Sequence, residues 1–143
     1  MNTTDTKISF KYQAISSPIF GKTYRPVADV QLWSAPTNSW KRVQMVVDTG
    51  ADYTILPRYL AIWLELDIEN KGRLIKTQGV GGLQEVYLIE KLRVKLGKFE
   101  REVPVGFIAS TKVPPLMGRH GFLETFETLF SYQRQTTFAG RLK

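Results

Sequence analysis

The stretch Val46-Val47-Asp48-Thr49-Gly50-Ala51-Asp52 carries an acid, a hydroxyl and a glycine straight off the end of an apolar run. The two β-branched valines read as the close of a buried strand, and the three residues after them as the turn that ends it. Glycine suits a turn with no room for a side chain, and the threonine hydroxyl can hydrogen-bond and lock the loop. An ordinary strand that ends in an Asp-Thr-Gly turn has the same sequence, so the triplet alone leaves two readings open.

The chemical reading needs a second acid. Two carboxylates a hydrogen bond apart can share one proton, so that one deprotonates a water while the other protonates a carbonyl oxygen. Asp5 is followed by Thr6-Lys7, Asp29 by Val30 and Asp67 by Ile68, so none of these repeats the triplet. The partner of Asp48 must therefore come from another chain. A two-fold axis beside Asp48 places it opposite its own copy, which makes a homodimer the expected working unit. Like charges so close cannot both ionise, so the pair is expected to lose its protons in two separate steps and to favour mildly acidic conditions.

Working outward, the chain has 143 residues and is 43% hydrophobic, enough for one domain with its own core and too short for two lobes. There is no cysteine and one histidine, His120, so disulfides and cysteine-based zinc sites are excluded and a histidine metal cage is not expected. No apolar stretch approaches a membrane span, and Met1-Asn2-Thr3-Thr4-Asp5-Thr6 lacks the basic and apolar regions of a signal peptide. These features predict a soluble, cytoplasmic protein. The formal charge of +7 raises the question of nucleic acid, but the basic residues are scattered. In Lys91-Leu92-Arg93-Val94-Lys95-Leu96 strict alternation puts three cations on one strand face, which reads as the solvated outside of a sheet.

Short strand-like runs separated by Gly, Pro or Asn turns predict an all-β barrel or sandwich. Phe10 to Ile15 reads as a first strand, after a flexible leader over residues 1–9, and Pro18 with Gly21 breaks it. Val27 to Trp33 and Val43 to Val47 form a hairpin through Ala35-Pro36-Thr37-Asn38-Ser39, which delivers Asp48. Tyr59 to Leu66, following Pro57, predicts a short helix. Leu74 to Gln78 and Leu83 to Ile89 flank Gly79-Val80-Gly81-Gly82 as a second hairpin, followed by strands Leu92 to Leu96 and Val103 to Ile108. Residues 127–143 read as a C-terminal hairpin or tail turning at Tyr132-Gln133-Arg134-Gln135. Trp33, Trp40 and Trp63 are expected as core or interface aromatics.

Three landmarks stand in order: Val47-Asp48-Thr49-Gly50-Ala51-Asp52, Gly79-Val80-Gly81-Gly82, and Leu116-Met117-Gly118-Arg119. Together, over Val27 to Phe126, they resemble the retropepsin-like aspartic peptidases, single-domain homodimers that include viral proteases and cellular or bacterial relatives. The resemblance implies an acid-protease barrel with one or two short helices. It implies that Asp48 is the catalytic aspartate, that Thr49 interlocks with the other subunit's loop, and that Gly50 offers its carbonyl to substrate. Ala51 and Asp52 fall among the substrate-binding positions, and Asp52 is expected to pair with Arg119. Gly79, Val80, Gly81 and Gly82 resemble the flap that folds over an extended substrate, where glycines let backbone N–H groups approach a peptide. The segments before Val27 and after Phe126 differ from the viral pattern and are more similar to cellular and bacterial relatives.

The resulting expectation is an aspartic endopeptidase that uses a water between two Asp48 residues, without cofactor or metal, on polypeptide substrates. The alternative is a non-catalytic dimer of the same fold that binds extended peptides or, on its basic face, polyanions. A phosphate loop at Gly79–Gly82 is disfavoured, since no Lys-Ser/Thr follows and Gln84 stands where a dinucleotide fingerprint needs glycine. No G-x-S-x-G supports a serine hydrolase, and His120 reads as a surface or dimer-edge residue.

Overall fold

The computed structural model describes residues 5–79 and 82–143, so Val80 and Gly81 at the expected flap tip lie outside the described residues. The chain opens with β1 (Asp5–Lys11) and a hairpin of β2 (Gln13–Ser17) and β3 (Gly21–Arg25). A seven-stranded sheet follows, built from β4 (Val27–Ser34), β5 (Ser39–Val47), β6 (Thr54–Pro57), β7 (Arg73–Gly79), β8 (Gly82–Leu96), β9 (Phe99–Ile108) and β10 (Leu116–Met117). Its spatial order is β4-β5-β10-β6-β9-β8-β7, and a further pairing of Gln31 with Lys95 and Leu32 with Val94 joins β4 to β8 and closes the barrel. This is the all-β architecture expected from the sequence.

Closure depends on the long strand β8. A register shift between Ile89 and Leu92 divides it, so its first half pairs with β7 while its second half reaches β4. Such an irregularity bends a strand and lets one segment serve two neighbours. Beyond it, Leu92, Val94 and Leu96 point inward and are buried, while Lys91 and Arg93 point out. The core gathers the inward residues of every barrel strand, among them Val30, Leu32, Met45, Leu56, Val105, Phe107 and Met117. Burying side chains of this size contributes about 1.5–3 kcal/mol each against an extended chain.

Two short helices interrupt the strands. Pro57, with φ −61°, sits at the N-cap of α1 (Arg58–Trp63), where its missing N–H costs nothing, and α1 buries Leu60 and Ala61. The second helix, α2 (Ile68–Lys71), is capped by Asp67, whose side chain accepts from Asn70 N. A 3₁₀ turn spans Leu123–Thr125.

The ends of the chain differ from the expectation of a loose leader over residues 1–9. From Asp5 onward that segment is β1, paired antiparallel along its length with the last strand, from Asp5 opposite Arg141 to Lys11 opposite Gln135. That strand is β12 (Gln135–Arg141), which also pairs with β11 (Glu127–Ser131) in the C-terminal hairpin. The first strand thus ends at Lys11 and does not run on through Ile15; Tyr12 N donates to Arg134 O, and β2 begins afresh at Gln13. The buried Phe138 holds this three-stranded sheet to the barrel, meeting Phe10 at 6.0 Å and Phe126 at 5.8 Å edge to face, while Phe126 meets Phe99 at 4.9 Å.

The tryptophans are not in the core. Trp33 and Trp40 face each other across β4 and β5 with ring centroids 5.2 Å apart on the outer side of the sheet, and the Arg93 guanidinium lies over both. Strand parity is the cause: Val30, Leu32 and Ser34 point inward, which sends Gln31 and Trp33 outward. Trp63 is 45% exposed at the end of α1, with Lys41 Nζ 5.1 Å from its ring centre.

Candidate active site

Asp48 follows directly on β5, and three main-chain contacts hold that strand end. Val46 N donates to Pro115 O at 2.8 Å, Val47 N to Pro26 O at 2.9 Å, and Asp48 N to Met117 O at 3.1 Å. The short strand β10 makes two of these possible by lying parallel to β5, with Leu116 opposite Val46 and Met117 opposite Val47. The apolar pair that the sequence marks before Gly118 is therefore the floor beside Asp48. On its other side β10 meets β6 antiparallel, Leu116 opposite Ile55, so the chain just before and the chain just after the Asp48 loop clamp one two-residue strand.

The loop closes on itself. Asp48 Oδ1 accepts from Gly50 N at 2.9 Å, and Ala51 N donates to Asp48 O at 3.2 Å. This side-chain-to-backbone turn fixes the carboxylate, and Asp48 keeps part of its surface open. Thr49 and Gly50 are exposed at the loop's outer rim.

Arg119 brings the third landmark to the first. Its Nη2 donates to Asp52 Oδ1 at 2.6 Å, its Nη1 donates to Thr49 O at 2.9 Å, and its backbone N donates to Ala51 O at 3.0 Å. One side chain thus spans the loop from Thr49 to Asp52. His120 N adds a bond to Asp52 O at 2.8 Å. Gly118 is the point of closest approach: a Cβ there would overlap the Tyr53 carbonyl, so only glycine lets the two segments touch.

Two contributors carry no motif. Thr54 is buried, and its Oγ1 accepts from Gly118 N at 3.1 Å, satisfying a donor that the close approach would otherwise strand. The signal available in the sequence was a lone hydroxyl in the apolar run Ile55-Leu56 that follows the loop. Pro26 is the other; it acts through its carbonyl, which no side-chain pattern reveals.

Beside the loop, an open groove of about 670 Å³ is lined by Asp52, Tyr53, Arg119 and His120, together with Glu90, Glu102 and Pro104. Burial raises the Tyr53 phenol above its ordinary value of 10.0, and the Asp52 carboxylate adds to the shift. Asp48 does not line this groove. It is half-buried in the single chain.

Gly79 and Gly82 face each other at the closed end of the β7–β8 hairpin, and Gly82 has φ +104°, a left-handed value that favours glycine. Among the described residues no three acidic, histidine or cysteine side chains gather as metal ligands, and no helix is long and apolar enough to cross a membrane.

Comparison with known proteins accords with this geometry. A search among curated proteins found no match. Among solved structures, the chain is similar to a retropepsin-like aspartic protease from Rickettsia conorii, with a TM-score of 0.63 over 92% of this chain and 98% of that one, at 17% identity. The family model described as gag-polyprotein putative aspartyl protease matches residues 37–123, more than half of the chain, and takes in all three landmarks. The chain belongs to this family of retropepsin-like aspartyl proteases.

Proposed function

We propose that the protein is an aspartic endopeptidase, active as a two-fold homodimer on extended polypeptide segments. The observation that carries the reading is Asp48 itself. It is anchored by Met117 O and Gly50 N, keeps part of its surface open to solvent, and has no second Asp-Thr/Ser-Gly loop in its own chain to complete it. A second copy across a two-fold axis supplies the missing carboxyl.

In this mechanism one proton is shared between Asp48 and Asp48 of the partner subunit. The ionised carboxylate takes a proton from water as the water oxygen attacks the peptide carbonyl carbon, and the protonated carboxyl donates to the carbonyl oxygen. The tetrahedral intermediate then collapses: the nitrogen takes a proton from one carboxyl, a hydroxyl on the tetrahedral carbon returns a proton to the other, and the C–N bond breaks to release the acid and the amine with the pair again sharing one proton. No covalent link to the enzyme forms. The β7–β8 hairpin acts as the flap: Gly79 and Gly82 sit at its end, where a substrate backbone could be covered. Gly50 O and the Ala51-Asp52 segment supply main-chain contacts to the extended substrate. Arg119 holds Asp52 and the Thr49 carbonyl in place for that task.

The test is hydrolysis of an unfolded, casein-like protein at mildly acidic pH by wild type and by Asp48→Asn. The proposal expects cleavage by the wild type and background rates for the variant. Equal rates for the two proteins would overturn it.

A further inference from the structure

The hairpin of β2 and β3 stands outside both sheets. Among the described residues its two strands pair only with each other, every residue of β3 is exposed, and β2 is largely so. An isolated two-stranded hairpin is at best marginally stable in water. Its tip is nevertheless built: Ser17 Oγ accepts from both Ile19 N at 3.2 Å and Phe20 N at 3.1 Å, and Gly21 turns the chain at φ +75°. This turn holds up two large apolar side chains, Ile19 at 81% exposure and Phe20 at 74%. Paired apolar groups so fully open, on a turn that fixes them, mark a contact surface.

The root of the hairpin says whose surface it meets. At one end Tyr12 N is bonded to Arg134 O, and the Arg134 guanidinium lies 3.5 Å from the Tyr24 ring centre. At the other, β3 runs into Pro26, whose carbonyl holds Val47 N, one residue before Asp48. The arm therefore springs from beside the catalytic loop, the place where a second copy must dock if two Asp48 residues are to meet.

We infer that the β2–β3 hairpin is a dimerisation arm, with Ile19 and Phe20 packing against a second copy of this chain. The inference rests on the homodimeric reading of the active site and adds to it the element that makes the association strong enough to act. The loop residues Thr49, Gly50, Ala51 and Asp52 are themselves small or polar, so apolar area from outside the loop is required for a stable interface. Two large side chains buried together at such a contact behave as anchors, and removing them has a disproportionate effect.

The experiment measures dimer dissociation by sedimentation, and cleavage of an unfolded protein, for wild type, Asp48→Asn and the double variant Ile19→Asp/Phe20→Asp. The tip side chains are exposed in the single chain, so the substitutions leave the core untouched. The expected result is a dissociation constant raised at least about tenfold in the double variant. Its activity should be lost at low concentration and regained as concentration rises, whereas Asp48→Asn should dimerise like the wild type yet stay inactive. An unchanged dissociation constant in the double variant, beside an active dimeric wild type, would overturn the arm and leave the peptidase reading standing. A wild type that cleaves while strictly monomeric would overturn both. Should the double variant fail to fold, a photocrosslinker attached at Ile19→Cys, unique in this cysteine-free chain, decides instead: a dimer-sized product supports the arm, and monomer alone refutes it.

Discussion

Arg119 and Asp52, 67 residues apart in the sequence, meet at 2.6 Å, and the same guanidinium bonds the Thr49 carbonyl at 2.9 Å. The pair is open to water, with 49% and 83% of the two side chains exposed, so its ionic attraction contributes only about 0.2–1 kcal/mol to stability. Its importance lies in geometry, since the planar guanidinium aims two N–H groups at two acceptors with a fixed spacing that a compact, freely rotating ammonium does not reproduce.

Arg119→Lys should therefore separate stability from function. Denaturant unfolding is expected to change by less than about 1 kcal/mol. Cleavage is expected to fall by about tenfold or more, because a loop displaced by a fraction of an ångström misplaces Asp48. Unfolding curves and initial rates on the same preparations check both halves.

Thr54→Val removes the acceptor for Gly118 N inside the protein, and a buried donor left unpaired costs about 1–3 kcal/mol. Thr54→Ser keeps the hydroxyl and should recover most of that loss. A urea series on the three proteins decides the matter; equal midpoints for valine and threonine would deny Thr54 its role.

Tyr53 should titrate late. Its phenol is raised above 10.0, first by burial and then by the Asp52 carboxylate, so in an alkaline absorbance titration it should ionise after an unperturbed tyrosine. Because the folded value lies above the unfolded one, the stability linked to this group is complete below pH 10.0 and is lost as pH rises through the folded value. Asp52→Asn should bring the transition partway down and leave the part due to burial. Comparison with Tyr53→Phe identifies the transition.

Arg101 fastens the last strand. It donates to Arg141 O at 2.7 Å, Leu142 O at 3.1 Å and Thr125 Oγ1 at 2.9 Å, with its guanidinium 4.6 Å from the Phe126 ring centre. Arg101→Met keeps much of the packing but hands these exposed acceptors back to water, and is expected to cost about 1 kcal/mol. Amide exchange should quicken in β12 and β1 before it does in β9.

The candidate site is legible because its signals are local. Asp48-Thr49-Gly50, Gly79 to Gly82 and Gly118-Arg119 each compress a backbone requirement into two to four residues. The terminal sheet is not, since β1 has only Ile8 and Phe10 to mark it and its partner lies at the far end of the chain, with Ser9 Oγ bonded to Thr137 Oγ1 across 128 residues. Pairing at that distance leaves no periodic trace in either segment. The tryptophans teach a different lesson. Val30 and Leu32 already assign the inward parity of β4, which places Trp33 on the outer face, yet aromatic size argues for the core; strand geometry overrode hydrophobicity, and Arg93 lies over the half-buried rings of Trp33 and Trp40.

The central claim is that the active site belongs to two chains. Subunit mixing tests it most directly: wild type at fixed concentration is equilibrated with increasing Asp48→Asn, and cleavage of an unfolded protein is followed. If Asp48 works only with its copy, mixed dimers are dead, and an equal amount of variant places about half of the wild-type chains in them, lowering the rate accordingly, with further loss at higher excess. A rate that stays constant across the whole titration, with mixed dimers demonstrated, would contradict the account.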